Sequence, residues 1–378
     1  MKNKTAYIIS CFNHYHHRLH VVDDYLRSRG YKTVFVTSDF DHMSKNAYVC
    51  QVPGCVQMHT MPYYKNLSIR RILSHRMFAG KVFQYLEKLP EQPDVLVAMV
   101  PPNFVSHYMR KYKKRHPQVK LIFDIFDLWP ETFPSGKAKK LLAPVFSVWA
   151  WLRNHSLGCA DYITTECDLF RQRLKLNPEK SATVYLCAEP LAFPEIPVCL
   201  REDGIDLCYL GSINNIISIP DICKLIAQLS AVKPVSLHII GKGERQQELM
   251  DSACEAGAEV IFHGTVYDEA KKQEIMSRCH FGLNIMKASV CVGLTMKSVD
   301  YFRHGLPIIN NIPADTEIMV KERAVGIRLD ENAAESILAL TADDMIQMRK
   351  NVKQLFDQQF RKTVITNRLG LLLDNMLA

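Results

Sequence analysis

No apolar run in this sequence is long enough to span a bilayer. The opening stretch MKNKTAYIISCFNHYHH begins with lysines, but His14 and its neighbours cut the apolar part short of a signal core. A cytoplasmic protein is expected. There is no CxxC pair either. The 12 cysteines are scattered, several lie inside strand-like runs such as IDLCYLGS, and Cys50 and Cys55 have no second pair beside them. That pattern argues against structural zinc and for reduced, mostly buried thiols. The absence of GxGxxG argues against a dinucleotide cofactor. HExxH is absent as well, so His16 and His20, four apart, lack an acidic third ligand, and a polar loop after the first strand is the preferred reading. No nucleic-acid motif accompanies the basic stretches RKYKKRHPQVK and YYKNLSIRRILSHR. The net charge of +8 therefore points to phosphate or an anionic membrane surface, with no nucleic-acid partner.

What is present suits a two-domain α/β enzyme. The 378 residues exceed one ordinary core, and 48 % hydrophobic with 23 % charged residues is a globular balance. TAYIIS reads as a strand, residues 18–29 as an amphipathic helix stopped by Gly30, and KTVFVTS as the next strand. The rhythm repeats through DVLVAMV, a helix near 104–114, and KLIFDIFD. Short apolar strands alternating with helices predict a parallel sheet covered on both faces. A proline-rich passage over 188–204 interrupts, after which IDLCYLGS, VSLHIIGKG, EVIFHGTV, HFGLNIM and LPIINN supply a second set of strands. The expected division is 1–190, 203–345, and a helical segment over 346–378 that folds back on the first domain. Such an architecture places a ligand cleft between the carboxyl ends of two sheets.

Several constellations carry chemistry. Gly211 follows a strand and opens GSINN, so with Ser212 and Asn214 it offers backbone and side-chain groups to a phosphate, although a tight turn would look the same. Gly241, Gly243 and Arg245 follow another strand in IIGKGER, and Gly264 ends a third in FHGTV. In GLTMKSVDYFRHGLPIINN, Lys297 and Asp300 share one helix face, as a diphosphate cation and a ribose acceptor would, or as a plain surface ion pair would. Ser298 lies between them, and Lys287 adds charge upstream. In the first half, Asp124 and Asp127 at the end of KLIFDIFD can orient or deprotonate a sugar hydroxyl, or merely cap the next turn. His16, Arg18, Lys65, Arg71 and His75 form the expected acceptor side, and the YYKNLSIRR loop can also meet a phosphate or a lipid head group. Asp39 and Asp41 have a D-x-D spacing that can hold a divalent ion, but a turn or capping role is favoured. The stretch LLAPVFSVWAWL, 141–152, suits an interfacial helix or a buried core helix.

TMKSVDYFRHGLPII, with FGLNIM and FHGTV before it, resembles the nucleotide-sugar segment of family 4 retaining glycosyltransferases of GT-B fold. SDFDH, PPN and DLWPE are similar to the first domain of a bacterial capsular or exopolysaccharide-assembly subgroup. The likeness runs over nearly the whole chain. It implies a UDP- or GDP-sugar donor held mainly by the second domain, retention at the anomeric carbon, a saccharide or lipid-linked acceptor, and no required metal or other cofactor. The family commonly has two glutamates eight positions apart. Asp300 falls at the second, ribose-contacting position, and Val292 falls at the first. Lys297 matches the lysine three residues before the ribose carboxylate, and Lys297 with the Gly211 amides would stabilise the departing diphosphate. The alternatives are a non-catalytic GT-B-like subunit, which Val292 favours, and a sugar-nucleotide epimerase.

Overall fold

The computed structural model describes residues 4–12, 16–66, 68–132, 143–192 and 198–377. It divides into one unit of Met1–Leu186 with Lys362–Ala378, and a second of Cys187–Arg361.

The first unit runs β1 (Thr5–Ser10), α1 (His16–Ser28), β2 (Lys32–Ser38), β3 (Val56–Met58), α2 (Ile69–Glu87), β4 (Val95–Val100), α3 (Asn103–Arg115), β5 (Lys120–Ile125), α4 (Ala143–Leu157), β6 (Tyr162–Thr165), α5 (Asp168–Arg173) and β7 (Ser181–Thr183). The strands form one parallel sheet in the order β3-β2-β1-β4-β5-β6-β7. Every residue of β4 is buried, which is why VLVAMV shows no alternation: both faces of a central parallel strand are covered. Helix α2 starts where Ser68 accepts a hydrogen bond from the Arg71 amide.

The second unit runs β8 (Ile205–Leu210), α6 (Ile219–Ser230), β9 (Val235–Ile240), α7 (Gln246–Glu255), β10 (Ala258–Gly264), α8 (Glu269–Arg278), β11 (Phe281–Asn284), α9 (Met296–Arg303), β12 (Ile308–Asn310), α10 (Asp315–Arg323), β13 (Gly326–Arg328), α11 (Ala333–Leu338) and α12 (Ala342–Gln359). Its parallel sheet has the order β10-β9-β8-β11-β12-β13. Ile219, Ile222, Leu225, Ile226 and Leu229 line the buried face of α6 and join the core with Leu237, Phe281 and Leu283. Helix α9 begins at its Thr295 cap and ends before Gly305, which takes a positive φ of 68° and turns the chain into β12.

The last segment, expected as one piece over 346–378, is two helices belonging to different units. Met345 and Met348 put α12 in the second unit's core. The final helix, α13 (Lys362–Leu377), packs on α1 of the first unit, where Asp374 accepts from Tyr25 Oη at 2.8 Å and pairs with Arg29 at 2.7 Å. Lys362 adds a pair with Asp24 at 2.7 Å.

Candidate functional site

In the second unit the strand order reverses between β8 and β11, because the chain builds outward in one direction through β9 and β10 and in the other through β12 and β13. Ligands of open parallel sheets bind outside the carboxyl ends of the strands at such a switch point. The loops that leave those ends are stitched together. Gly211 N–H donates to Ile240 O at 2.8 Å, Gly241 N–H to Gly264 O at 2.7 Å, and Arg245 N–H to Ile213 O at 3.1 Å. Across the switch point, Lys287 N–H donates to Ile216 O at 2.9 Å. Gly241 has to be glycine: its φ is 142°, and a Cβ there would strike the carbonyl oxygen of Gly211.

Helix α9 presents its first turn to this region. Thr295 Oγ1 caps it, accepting from Ser298 N–H at 3.1 Å, and is itself anchored to Asn284 at 3.0 Å. Lys297 then reaches back over the sheet, with Nζ 4.7 Å from the centre of the Tyr209 ring. The ammonium is buried and makes no hydrogen bond among the described residues. Burial pulls its pKa from 10.5 to about 8. A buried cation facing only an aromatic ring is short of a counter-charge, and an anionic ligand supplies one.

The Asp300 carboxylate, one turn further along, makes no hydrogen bond or ion pair among the described residues, and burial raises its pKa, partly offset by Lys272 and His304. Its neighbour Glu269 behaves oppositely. Bonds from His304 and Lys272 and the Arg303 charge hold that carboxyl down to about 2. The alternative reading of Lys297 and Asp300 as a surface ion pair finds no such pair among the described residues. One side chain is an unsatisfied donor and the other an open acceptor.

The remaining donor-side residues are placed unequally. Ser298 and Asn214 serve the fold, Ser298 inside the α9 cap and Asn214 accepting from Ile216 N–H at 3.1 Å. The Ser212 carbonyl accepts from Tyr209 Oη at 2.8 Å. Gly264 turns the chain with φ 67°. Lys287 sits at the switch point and makes no ion pair among the described residues. Arg245, expected to add charge for phosphate, makes a two-point pair with Glu248, with Nε–Oε2 at 2.7 Å.

In the first unit, Asp124 and Arg18 are both buried and hold each other, with Nε–Oδ2 and Nη2–Oδ1 each at 2.6 Å. Arg18 also donates to Val184 O, and Thr164 Oγ1 donates to Asp124 at 2.5 Å. These bonds tie β5, α1 and β6 together. Asp124 and Arg18, expected as a catalytic carboxylate and an acceptor-side cation, are thus each other's partners inside the fold. Asp127 is likewise occupied, accepting from Leu128 N–H at 2.7 Å and Thr132 Oγ1 at 2.6 Å. Of the D-x-D pair, Asp39 pairs with His59 at 2.7 Å and Asp41 closes its own turn on Met43 N–H at 2.6 Å. Among the described residues no group of three or more His, Cys, Asp or Glu could hold a metal.

His16 opens α1, but its side chain and all of His14 lie outside the described residues. Lys65 is exposed. Arg71 and His75 lie buried on the inner face of α2. The Arg71 guanidinium stands 4.3 Å from the Trp129 ring and the His75 ring stacks on Trp129 at 5.9 Å. Phe12 and Tyr63 meet His75 edge-on, both its nitrogens are unpaired, and burial with the Arg71 charge pulls its pKa well below 6.5. The box joins the 63–75 stretch, where the sequence had marked Arg71 and His75, to Phe12 and Trp129, which nothing in the sequence connects to it.

No protein-family model matches the sequence, and comparison with curated proteins gives no match. Solved structures do match over the full length. The apo form of the lipopolysaccharide outer core galactosyltransferase WaaB is 13 % identical, covers 99 % of both chains and has a TM-score of 0.68. Anabaena Alr3699/HepE in complex with UDP and glucose is 12 % identical over 98 % of this chain and 100 % of its own, with a TM-score of 0.64. MurG of Acinetobacter baumannii is 9 % identical over 98 % and 99 %, with a TM-score of 0.52. Two parallel-sheet α/β units with such neighbours along the whole chain make this a GT-B fold.

Proposed function

We propose that the protein is a glycosyltransferase that moves a sugar, with retention, from a nucleotide-diphosphate sugar to a saccharide or lipid-linked saccharide in bacterial surface polysaccharide synthesis. The observation that carries this reading is the Lys297 ammonium, buried and unpaired at the switch point of the second sheet. A diphosphate there gives the ammonium its counter-charge, and the charge that develops on the leaving group strengthens that contact in the transition state. The Asp300 carboxylate, with no bond of its own, accepts from the two ribose hydroxyls. Using a lysine in this way makes the donor site independent of a divalent ion. HepE is described with UDP and glucose, and a UDP-sugar is the first donor to test.

The acceptor reading rests on the first unit's aromatic box around His75, where Arg71 supplies positive charge, with exposed Lys65 in the stretch before α2. A lipid-linked acceptor fits the outer surface of that unit. On α4, Val145, Val148 and Trp151 are exposed, and on α2 Ile69 and Leu73 are. Neither 60–86 nor 132–160 contains an acidic residue, so anionic lipid meets no repulsion from either segment. Among the described residues no helix is long and apolar enough to cross a membrane.

The test is product formation. The purified chain is incubated with UDP-glucose, UDP-galactose and GDP-mannose in EDTA, with and without a lipid-linked saccharide extract, and release of nucleoside diphosphate is followed. Acceptor-stimulated release from one donor is expected. Tight donor binding with no release under any condition would favour the non-catalytic subunit, the reading Val292 keeps open.

A further inference from the structure

At the opposite end of α9 from Lys297 the second unit contains a cavity of about 540 Å³. An eight-residue helix is about 12 Å long, so this space is separate from the switch-point site. Arg303, Arg349, Lys350, Lys353 and Arg361 line it, and Asp357 is the single carboxylate among the described lining residues. Two of those cations are already balanced: Arg303 pairs with Glu269 at 3.0 Å and Arg361 with Asp357 at 2.7 Å. Arg349 and Lys350 have no carboxylate partner among the described residues.

Arg349 is the central observation. It is 7 % exposed, and its guanidinium contacts backbone carbonyls only: Gly305 O at 3.2 Å, Met276 O at 3.1 Å, and Cys279 O. Those carbonyls end α8 and α9, so Arg349 offsets the negative ends of two helix dipoles. The cost of burying a full charge is only partly met by such partial charges, and Nε keeps a buried proton with no acceptor. Lys350 and Lys353 extend the positive lining toward solvent, while Phe302, Ile346 and Phe356 give the cavity an apolar wall.

We propose that this cavity is a second anion site, which takes a soluble phosphorylated compound with a ring or other apolar part, its phosphate on Lys350 and Lys353 above the buried Arg349 charge and its apolar part on Phe302 and Phe356. The site is distinct from the donor pocket and does not rest on the proposed transferase activity. Because its floor is the C-terminal end of α9, occupancy braces the helix whose first turn carries Lys297.

The probe is inorganic pyrophosphate, titrated calorimetrically into the full chain carrying Lys297→Ala, which removes the donor-site cation. Saturable uptake that weakens as sodium chloride rises is expected. Adding Lys350→Ala and Lys353→Ala, both exposed positions, should lower the affinity at least tenfold with an unchanged circular dichroism melt. Absence of uptake by the Lys297→Ala chain, or uptake indifferent to the two added substitutions, overturns the site. A third arm uses vesicles of phosphatidylglycerol and phosphatidylcholine. Loss of vesicle binding in the triple variant, with no pyrophosphate uptake, would assign these cations to a membrane surface and also overturn it.

Discussion

Replacing Lys297 by methionine should stabilise the empty protein while damaging its donor site. In the unfolded chain the lysine titrates near its ordinary value of 10.5, and burial lowers that to about 8 in the fold. Below pH 8 both states carry the charge and the folded state bears the full desolvation penalty. As pH rises through the interval from 8 to 10.5 the penalty fades, and above it both states are neutral. At about 1.4 kcal/mol per pKa unit, the penalty at pH 7 is about 3 kcal/mol, and by pH 10 it falls below about 1 kcal/mol. Methionine fills a similar volume without the charge, so Lys297→Met should gain a large part of that difference at neutral pH. The assay is urea unfolding followed by far-ultraviolet circular dichroism at pH 7 and pH 10. The three tryptophans, Trp129, Trp149 and Trp151, all lie in the first unit and would not report on this one. The same variant should lose about 2 kcal/mol of nucleoside-diphosphate affinity, roughly thirtyfold. A variant no more stable than the wild type at pH 7, or one whose advantage is the same at both pH values, would refute the account of an uncompensated buried cation.

Other expectations follow from the same structure. Arg18→Leu leaves the Asp124 carboxylate buried without its partner and should cost about 3–5 kcal/mol, whereas the double change Arg18→Leu with Asp124→Leu should recover much of it; chemical denaturation of both distinguishes a structural pair from a catalytic one. Gly241→Ala combines an unfavourable φ with a clash on the Gly211 carbonyl. It should lower the melting temperature by several degrees and abolish nucleotide binding, both readable in one thermal-shift series with and without UDP. Trp151→Ser with Val148→Ser removes exposed apolar area from α4. It should reduce co-sedimentation with vesicles containing phosphatidylglycerol while leaving the melt unchanged, and equal sedimentation of both proteins counts against the membrane face.

Much of the architecture is legible in the sequence because local pattern decides it. The runs TAYIIS, KTVFVTS, DVLVAMV and VSLHIIGKG are strands as their apolar content implies, and Gly305 ends α9 where the Gly-Leu-Pro break indicates. The short edge strands β3, β7 and β13 are less visible, since three residues give no period to read. Side-chain roles are legible only where both partners are close in sequence. Arg245 and Glu248 are three apart and could have been matched. Arg18 and Asp124 are 106 residues apart, so each reads as a lone functional charge until β5 and α1 are brought together. The pairing of Lys297 with the face of Tyr209 is equally long-range, and it turns an ordinary helix-surface lysine into an unsatisfied one.

The account's central claim is a metal-independent nucleotide site built on Lys297 and Asp300. It is tested most directly by calorimetric titration of UDP, in EDTA, into the wild type and Asp300→Ala. Because the Asp300 carboxylate makes no hydrogen bond or ion pair among the described residues, its removal should not destabilise the fold. Wild-type binding that persists without divalent ions and weakens at least tenfold in Asp300→Ala is the predicted result. Binding only when magnesium is present, or equal affinity in the two proteins, would contradict it.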